Sequence, residues 1–390
     1  MSRVRIGIIG FGAMGTGHAR YLMAGEVSGA ELVAVCDVEP ARLNAVRETY
    51  GDQLKTFASA DALFAAEAVD GVIIATPHYF HPPLAIQAFK NGVHVLSEKP
   101  AGVYTKQVRE MNEAAEKSGL VFGVMFNQRT IASHQKLREI VHSGELGELR
   151  RTNYLITSWY RSQFYYNSGG WRATWAGEGG GVLANQCPHN LDLWQWICGM
   201  PKRVRAFCYF GKYHDIEVED DVTAYVEYPN GATGLFITTT GEAPGTNRLE
   251  ISGDRGKVLL EGGKIKLWRT EVSVEEFTRG YTGGMGGPKV EASDVPGGSG
   301  PHHKGITQNW VEAIAHGTPL LAPGQEGING VQLANAMLLS AWTDDWVEIP
   351  VNEDLFYEKL QEKVRTSTYR KGAPGSAAAG PSVAPGAGPG

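Results

Sequence analysis

The sequence predicts an α/β protein of two domains, a doubly wound parallel sheet followed by an α/β domain with a large, mostly antiparallel open sheet. Three observations carry that prediction. Strand-like apolar runs alternate with helical segments across the first 126 residues, the pattern of a parallel sheet with helical crossovers. The first of these strands runs straight into a glycine-rich turn. Beyond residue 126 the alternation stops, and long segments of strand period separated by turn residues take its place. A chain of 390 residues, 42% of them hydrophobic, has the length and apolar content for about two cores.

In chain order, Val4–Ile9 reads as a buried strand, Ala13–Ala24 as a helix and Glu31–Cys36 as a second strand ending at Asp37. A helix over Pro40–Tyr50, a short strand at Lys55–Phe57, a helix over Ser59–Ala66 and a strand over Gly71–Ala75 follow. Helix Pro82–Asn91, strand Val93–Ser97, helix Thr105–Ser118 and strand Val121–Phe126 complete six strands, so the first domain is expected to span 1–126. A second domain is expected over 127–371. It opens with a helix at Ile131–Ser143 and continues with antiparallel strands at Leu149–Trp159, Arg203–Tyr209, Thr223–Tyr228, Thr233–Thr239, Arg248–Ser252 and Lys257–Leu260. Pro229-Asn230-Gly231 and Gly253-Asp254-Arg255-Gly256 supply hairpin turn chemistry. Gly280–Pro301 reads as a long irregular loop, either surface or lid. Helices resume at Ile306–His316 and Gly324–Trp346. Residues 372–390, all Gly, Ala, Pro, Ser and Val, are expected to be disordered.

A formal charge of -6 with scattered basic residues gives no footprint for nucleic acid. No apolar run approaches the roughly 18 residues of a membrane span, and the run behind Arg3 and Arg5 is too short and glycine-broken for a secretory signal. A cytoplasmic location is therefore expected. The four cysteines, Cys36, Cys187, Cys198 and Cys208, have no CxxC spacing, so neither a disulfide framework nor a zinc site is indicated.

The turn after the first strand is Gly10-Phe11-Gly12-Ala13-Met14-Gly15, a GxGxxG between strand and helix. In that setting each glycine has a task in dinucleotide binding: Gly10 for the tight turn, Gly12 for close approach of the backbone to a pyrophosphate, Gly15 for helix packing. The phosphates then lie at a helix N-terminus, and Asp37 holds the ribose hydroxyls. Asp37 repels a 2′-phosphate, which points to NAD. At the end of the fifth strand stands Glu98-Lys99-Pro100, on the carboxyl edge where ligands of open α/β sheets bind. A second segment runs Gly179-Gly180-Gly181-Val182-Leu183-Ala184-Asn185-Gln186-Cys187-Pro188-His189-Asn190-Leu191-Asp192. Asn185 and His189 are four apart, the spacing that puts two residues on one helix face.

With these motifs the chain resembles the glucose-fructose oxidoreductase / inositol dehydrogenase / rhizopine catabolism (Gfo/Idh/MocA) family over nearly all of its length before the tail. The resemblance rests on the GxGxxG, on Thr76-Pro77 followed by His81, on Glu98-Lys99-Pro100 and on the GG…HxxD segment. It implies a Rossmann domain, NAD or NADP, oxidation of a sugar or cyclitol, and homodimers or homotetramers built through the large sheet. It also implies catalytic roles for Lys99 and His189 and a cis bond before Pro100. Many members have Asp where this chain has Asn185, and an amide neither balances a positive charge nor accepts a proton.

On this reading the cofactor set is Gly10, Phe11, Gly12, Met14, Gly15, Asp37, Thr76, Pro77, His81, Glu98 and Lys99. His189 is the base for a secondary hydroxyl, Lys99 stabilises the developing alkoxide, and Asn185 joins them at the substrate. Asp192 is expected to be structural. Trp159-Tyr160-Arg161, Phe164-Tyr165-Tyr166, Gly170-Trp171-Arg172 and Trp175 combine aromatic faces with hydroxyls and guanidinium groups, a mixture that suits a carbohydrate. Tyr160, Arg161 and Trp175 are the substrate candidates among them, and Arg172 leaves a uronate or sugar phosphate open. His78 and His81 either approach the cofactor or cap their loop. His302 and His303 are expected to be solvated, and catalysis is expected to need no metal. The resulting expectation is oxidation of a ring hydroxyl such as C3 of a sugar, glycoside or cyclitol. Two alternatives stay open: an enzyme that retains NAD and oxidises transiently for epimerisation or glycosidic elimination, and a non-catalytic NAD-binding regulator.

Overall fold

A computed structural model describes residues 3–371 of the chain. The expected tail, 372–390, lies outside the described residues. The chain forms two compact units, one running to Thr130 and including Pro301–Val331, the other comprising Ile131–Gly300 and the chain from Gln332 onward.

The first unit carries β1 (Val4–Ile9), α1 (Ala13–Met23), β2 (Ala30–Cys36), α2 (Pro40–Tyr50), β3 (Lys55–Phe57) and α3 (Ala60–Ala65). It continues through β4 (Gly71–Ile74), α4 (His81–Lys90), β5 (His94–Ser97), α5 (Thr105–Ser118) and β6 (Phe122–Val124). The sheet order is β3-β2-β1-β4-β5-β6, with every pair parallel. This is the doubly wound order whose strand sequence reverses between β1 and β4, and that reversal opens the ligand crevice at the carboxyl ends of the strands. Ile6, Ile8, Val72, Ile73, Val95 and Leu96 are fully buried, as a sheet covered on both faces requires.

A single boundary at Phe126 does not describe the chain, because α10 (His302–His316) belongs to the first unit. Its Trp310 is fully buried, and a Cβ at Gly71 would sit 2.6 Å from that indole. The glycine at the start of β4 thus leaves room for a large apolar side chain from far along the sequence. Lys99–Pro100 is a cis peptide.

The second unit holds α6 (Ala132–His142), β7 (Leu149–Ile156), α7 (Gln163–Asn167), α8 (Pro188–Cys198), β8 (Arg203–Phe210), β9 (Glu219–Glu227) and β10 (Thr233–Thr239). After β11 (Asn247–Gly253), β12 (Gly256–Glu261) and β13 (Lys264–Thr270) come α9 (Val274–Gly280) and β14 (Val290–Val295). The chain later adds α11 (Gly327–Thr343), β15 (Val347–Glu348) and α12 (Glu353–Thr366). Nine strands are ordered β14-β13-β12-β11-β7-β10-β9-β8-β15, antiparallel except for the β7–β10 pair. Along β9 and β10 buried and half-buried residues alternate, so one face of the sheet is covered and the other is not. Phe207 and Tyr209 of β8 stand exposed on the uncovered side.

Gly280–Pro301 is not wholly irregular. Val290–Val295 pairs with β13 as an edge strand, from Ile265↔Val295 to Thr270↔Val290. Among the described residues no helix is long and apolar enough to cross a membrane.

Candidate functional site

The glycine turn has the geometry its spacing demands. Gly10 adopts φ +93°, and a Cβ there would lie 2.7 Å from the Ala75 carbonyl oxygen. At Gly15 a Cβ would sit 2.0 Å from the Gly10 carbonyl oxygen, so only glycine lets α1 start this close to β1. Gly12 differs from both, since a Cβ there would meet nothing within 4 Å. It forms the N-cap of α1, which no side chain caps, so the first-turn N–H groups face an open cradle suited to a pyrophosphate. Asp37 is buried, with Oδ2 accepting the Phe11 N–H at 2.6 Å and Oδ1 accepting the Glu39 N–H at 2.9 Å. The Arg42 guanidinium donates to the same Oδ2 at 3.1 Å. Met14, in the first turn of α1, is 42% exposed, and Val38, next to Asp37 in the chain, is 85% exposed.

Thr76 follows β4, and its hydroxyl is buried with no hydrogen-bond partner among the described residues. An orphaned buried hydroxyl at the carboxyl end of a Rossmann strand fits a ligand group, as the open side of Gly12 does. Pro77 next to it is half-buried. His81 does not reach outward. Its Nδ1 meets the Pro100 carbonyl at 2.8 Å and its Nε2 the Thr76 carbonyl at 2.7 Å, so it braces two loops. Burial pushes its pKa down, against the pull of those two carbonyls.

Glu98 closes the carboxyl end of β5. Its Oε1 pairs with His18 Nε2 of α1 at 2.8 Å, and its Oε2 accepts the Lys99 backbone N–H at 3.2 Å. Burial alone would raise this carboxyl. The His18 hydrogen bond and the charges of His18, His303 and Lys99 instead hold it at about 2. His18 Nδ1 bonds the Tyr21 hydroxyl at 2.5 Å, and that hydroxyl bonds Thr307 Oγ1 at 2.8 Å. His303, expected to be solvated, is half-buried in α10, 5.8 Å from the His18 ring centroid, with Nδ1 3.2 Å from Asn127 Nδ2. Burial lowers its pKa. The half-buried Lys99 is therefore fixed at its backbone by a buried ionic network that the motif alone does not reveal. A signal for His18 was available: it is a polar residue in a run of α1 that otherwise buries Gly15, Ala19 and Leu22.

In the second unit, His189 is 9% exposed at the second position of α8, behind Pro188 at the first. Asn185 lies in the turn before that helix, so helical spacing does not relate it to His189. Its amide donates to the Glu178 carboxylate, and its Oδ1 accepts the Tyr165 hydroxyl at 3.2 Å. Arg172 Nη1 donates to that same hydroxyl at 2.7 Å and Gln186 Nε2 at 3.1 Å. The Arg161 and Arg172 guanidinium carbons lie 5.1 and 4.6 Å from the Tyr165 ring centroid. Tyr160 is 53% exposed. Trp159 Nε1 donates to Asn190 Oδ1 at 3.0 Å, and Asn190 Nδ2 to the Tyr154 hydroxyl at 2.9 Å, which anchors this aromatic segment. Gln195 Nε2 donates to the buried Asp192 at 3.0 Å within α8.

Trp175 is a correction. It is 4% exposed, with its ring against Phe210 and Trp342 at 5.8 and 5.5 Å, so packing occupies the faces a sugar would need. The glycine run before Asn185 is tied to β9: Glu219 Oε1 accepts the Gly181 and Leu183 N–H groups at 2.8 and 3.0 Å. Burial raises the Glu219 carboxyl to about 7, against those bonds. Neither Glu178 nor Glu219 belongs to the motif, although an acid directly before three glycines was a readable signal for the first.

Residues 4–126 match the model of the oxidoreductase family with an NAD-binding Rossmann fold, and residues 134–259 match the GFO/IDH/MocA C-terminal domain. The D-glucoside 3-dehydrogenase of Escherichia coli is 32% identical over 257 residues, covering 61% of this chain and 70% of that protein. This chain belongs to the GFO/IDH/MocA oxidoreductase family. Its first unit is the family's NAD-binding domain. The rhizopine catabolism protein MocA of Rhizobium meliloti, another relative, is 31% identical over 200 residues, 51% of this chain and 58% of that protein. Among solved structures, the WlbA dehydrogenase of Chromobacterium violaceum in complex with NADH and UDP-GlcNAcA has a TM-score of 0.77 and 28% identity. That match covers 90% of this chain and 97% of the neighbour.

Proposed function

We propose that this GFO/IDH/MocA protein is an NAD-dependent dehydrogenase that oxidises a ring secondary hydroxyl, C3 first among the positions to test, of a sugar, glycoside or cyclitol. His189 accepts the hydroxyl proton, and imidazole is a side chain that both takes up and returns protons in alcohol oxidation. Lys99 donates a hydrogen bond to the same oxygen and stabilises the alkoxide as it forms. NAD, when bound, supplies the hydride acceptor. Gly10, Gly12 and Gly15 shape its phosphate cradle, Asp37 takes a ribose hydroxyl, and Thr76 offers an uncommitted hydroxyl.

The observation that carries the substrate side is the Tyr165 hydroxyl, which joins Asn185, Gln186 and Arg172 in one polar group, with Arg161 over the Tyr165 ring and an exposed Tyr160 next to Arg161 in the chain. Aromatic faces and fixed polar groups together are what a polyhydroxylated ring requires. Two guanidinium groups at Tyr165 place acidic sugars in the substrate screen beside neutral ones. The uncovered sheet face with Phe207 and Tyr209 is proposed as the surface through which copies pair into homodimers or homotetramers. NADH absorbance on mixing protein, NAD and a panel of sugars, glycosides and cyclitols tests the activity. Conversion of a sugar without NADH release would instead favour the retained-cofactor alternative.

A further inference from the structure

Asn185 has no charge of its own, yet a buried carboxyl is bonded to it. Glu178 is 2% exposed. Its Oε2 accepts the Ala173 N–H at 2.6 Å, and its other oxygen accepts the Asn185 amide. These contacts fix which way the amide faces. With its nitrogen committed to Glu178, Asn185 turns Oδ1 to the Tyr165 hydroxyl at 3.2 Å. That hydroxyl already accepts from Arg172 and Gln186, so its own proton is directed at Asn185. The chain of bonds runs from a carboxylate at one end to a guanidinium at the other, and charge-assisted ends hold it in one direction.

We propose that Glu178 is a positioning residue for the substrate site: it sets the Asn185 amide and, through it, the Tyr165 hydroxyl and the Arg172 guanidinium, and supplies from one side chain away the negative charge that Asn185 lacks. The proposal rests on the reading of Asn185 as a site residue in the proposed function. The charged and titratable groups around Glu178 are Arg172, Lys371, Glu219 and Tyr166. Lys371 Nζ donates to the Gly169 and Arg172 carbonyls at 2.6 and 2.9 Å, which places a second cation on the segment that ends at Arg172. Burial raises the Glu178 carboxyl, while the Ala173 N–H, the Asn185 amide, Arg172 and Lys371 favour its anion.

The test is a swap in the 390-residue chain. In Glu178→Gln one of the two donors now facing Glu178 meets an amide nitrogen, and the pairing fails. In Asn185→Asp two buried carboxyls touch and must share a proton. In the double variant Glu178→Gln/Asn185→Asp, the amide introduced at position 178 gives its oxygen to the Ala173 N–H and its nitrogen to the carboxylate introduced at position 185, so every bond between them is restored in mirrored order. Methyl D-glucoside and myo-inositol serve as probes, and NAD affinity is measured alongside. Each single variant is expected to lose about 10- to 100-fold in kcat, the range for a buried polar group left mispaired, with NAD affinity unchanged. The double variant is expected to recover to within about threefold of wild type, the residue of an imperfect fit. Exchange of the Asn185 side-chain amide protons, followed by NMR, should be slow in wild type and fast in Glu178→Gln. A Glu178→Gln protein with wild-type kcat and wild-type amide exchange overturns the proposal, and so does a double variant no better than the weaker single one. If wild type oxidises neither probe, the amide exchange alone decides: slow exchange lost in Glu178→Gln upholds the positioning, and unchanged exchange overturns it, while the dehydrogenase reading is judged by the wider substrate screen.

Discussion

The glycine turn of the first unit and the segment from Trp159 to His189 in the second, the proposed cofactor and substrate sites, are built by opposite means. In the turn, function follows from what three backbone positions lack. Gly10 and Gly15 lack a Cβ because another backbone atom stands where it would be, and Gly12 lacks one beside open space. In the segment, function follows from side chains that hold one another, with Tyr165, Arg172, Glu178, Asn185 and Gln186 joined by hydrogen bonds over 22 positions of chain. The first arrangement is written in local spacing, whereas the second depends on which rotamers the fold selects. Cofactor recognition should therefore tolerate change outside a few positions, and substrate recognition should respond to any break in the group.

The largest effect is expected at His189. His189→Ala should lower turnover by about 10²–10⁴-fold, the contribution of a positioned general base, with NAD affinity nearly unchanged. Near-native turnover would move the base elsewhere in the second unit.

Cofactor discrimination should be smaller. Like charges about 4 Å apart cost about 4 kcal/mol at an effective dielectric of 20, so Asp37 alone would disfavour NADP by several hundredfold. Arg42 on the Asp37 carboxylate offsets part of this. Arg42→Ala should widen the NAD preference and Asp37→Ala narrow it, as kcat/KM with the two cofactors would reveal. An NADP efficiency equal to that with NAD in wild type would remove Asp37 from its role.

The glycines separate fold from ligand within the turn itself. Gly15→Ala forces an atom to 2.0 Å from the Gly10 carbonyl, and overpacking of this kind typically costs about 1–3 kcal/mol or more. Gly12→Ala meets no atom of the protein, so it should leave Tm unchanged and weaken NAD binding. Thermal melting and NAD titration of the two variants check the contrast, and a destabilised Gly12→Ala protein would contradict it.

Much of the first unit was legible because buried parallel strands are continuous apolar runs. Pro40–Tyr50, Thr105–Ser118 and Lys55–Phe57 were placed at their observed ends. What escaped was non-local. No sequence pattern ties Trp310 to Gly71, so the return of α10 to the first unit was invisible. Edge strand β14 escapes because its short, mixed run of apolar and polar residues is mostly exposed and lacks the continuous apolar face that marks a strand. Helix α12 carries start signals of its own: Asn352 caps it by accepting the Leu355 N–H at 3.0 Å, and acids fill its first turn. At the site the types of residue were readable and their partners were not: Trp175 and Arg172 look alike as sugar contacts until packing claims the former and a hydrogen bond aims the latter.

A further effect concerns acid stability of the first unit. Glu98 stands at about 2 in the folded protein against an ordinary 4.5, so its contribution is full above about 4.5 and is lost as pH falls toward 2. A displacement of that size corresponds to about 3 kcal/mol. His18→Ala removes the hydrogen bond and charge that oppose burial, so the loss should begin at higher pH. Melting temperature against pH for both proteins measures it, and coincident curves would separate His18 from Glu98.

If Lys99 and His189 serve one oxidation of a ring hydroxyl, NADH formation reports it most directly. Purified wild type and Lys99→Ala, each given NAD and the panel of sugars, glycosides and cyclitols, should differ: wild type generates NADH with at least one member, and the variant does so at least about 100-fold more slowly while still binding NAD. Equal rates in the two proteins, or no NADH from wild type with any ring alcohol, would contradict it.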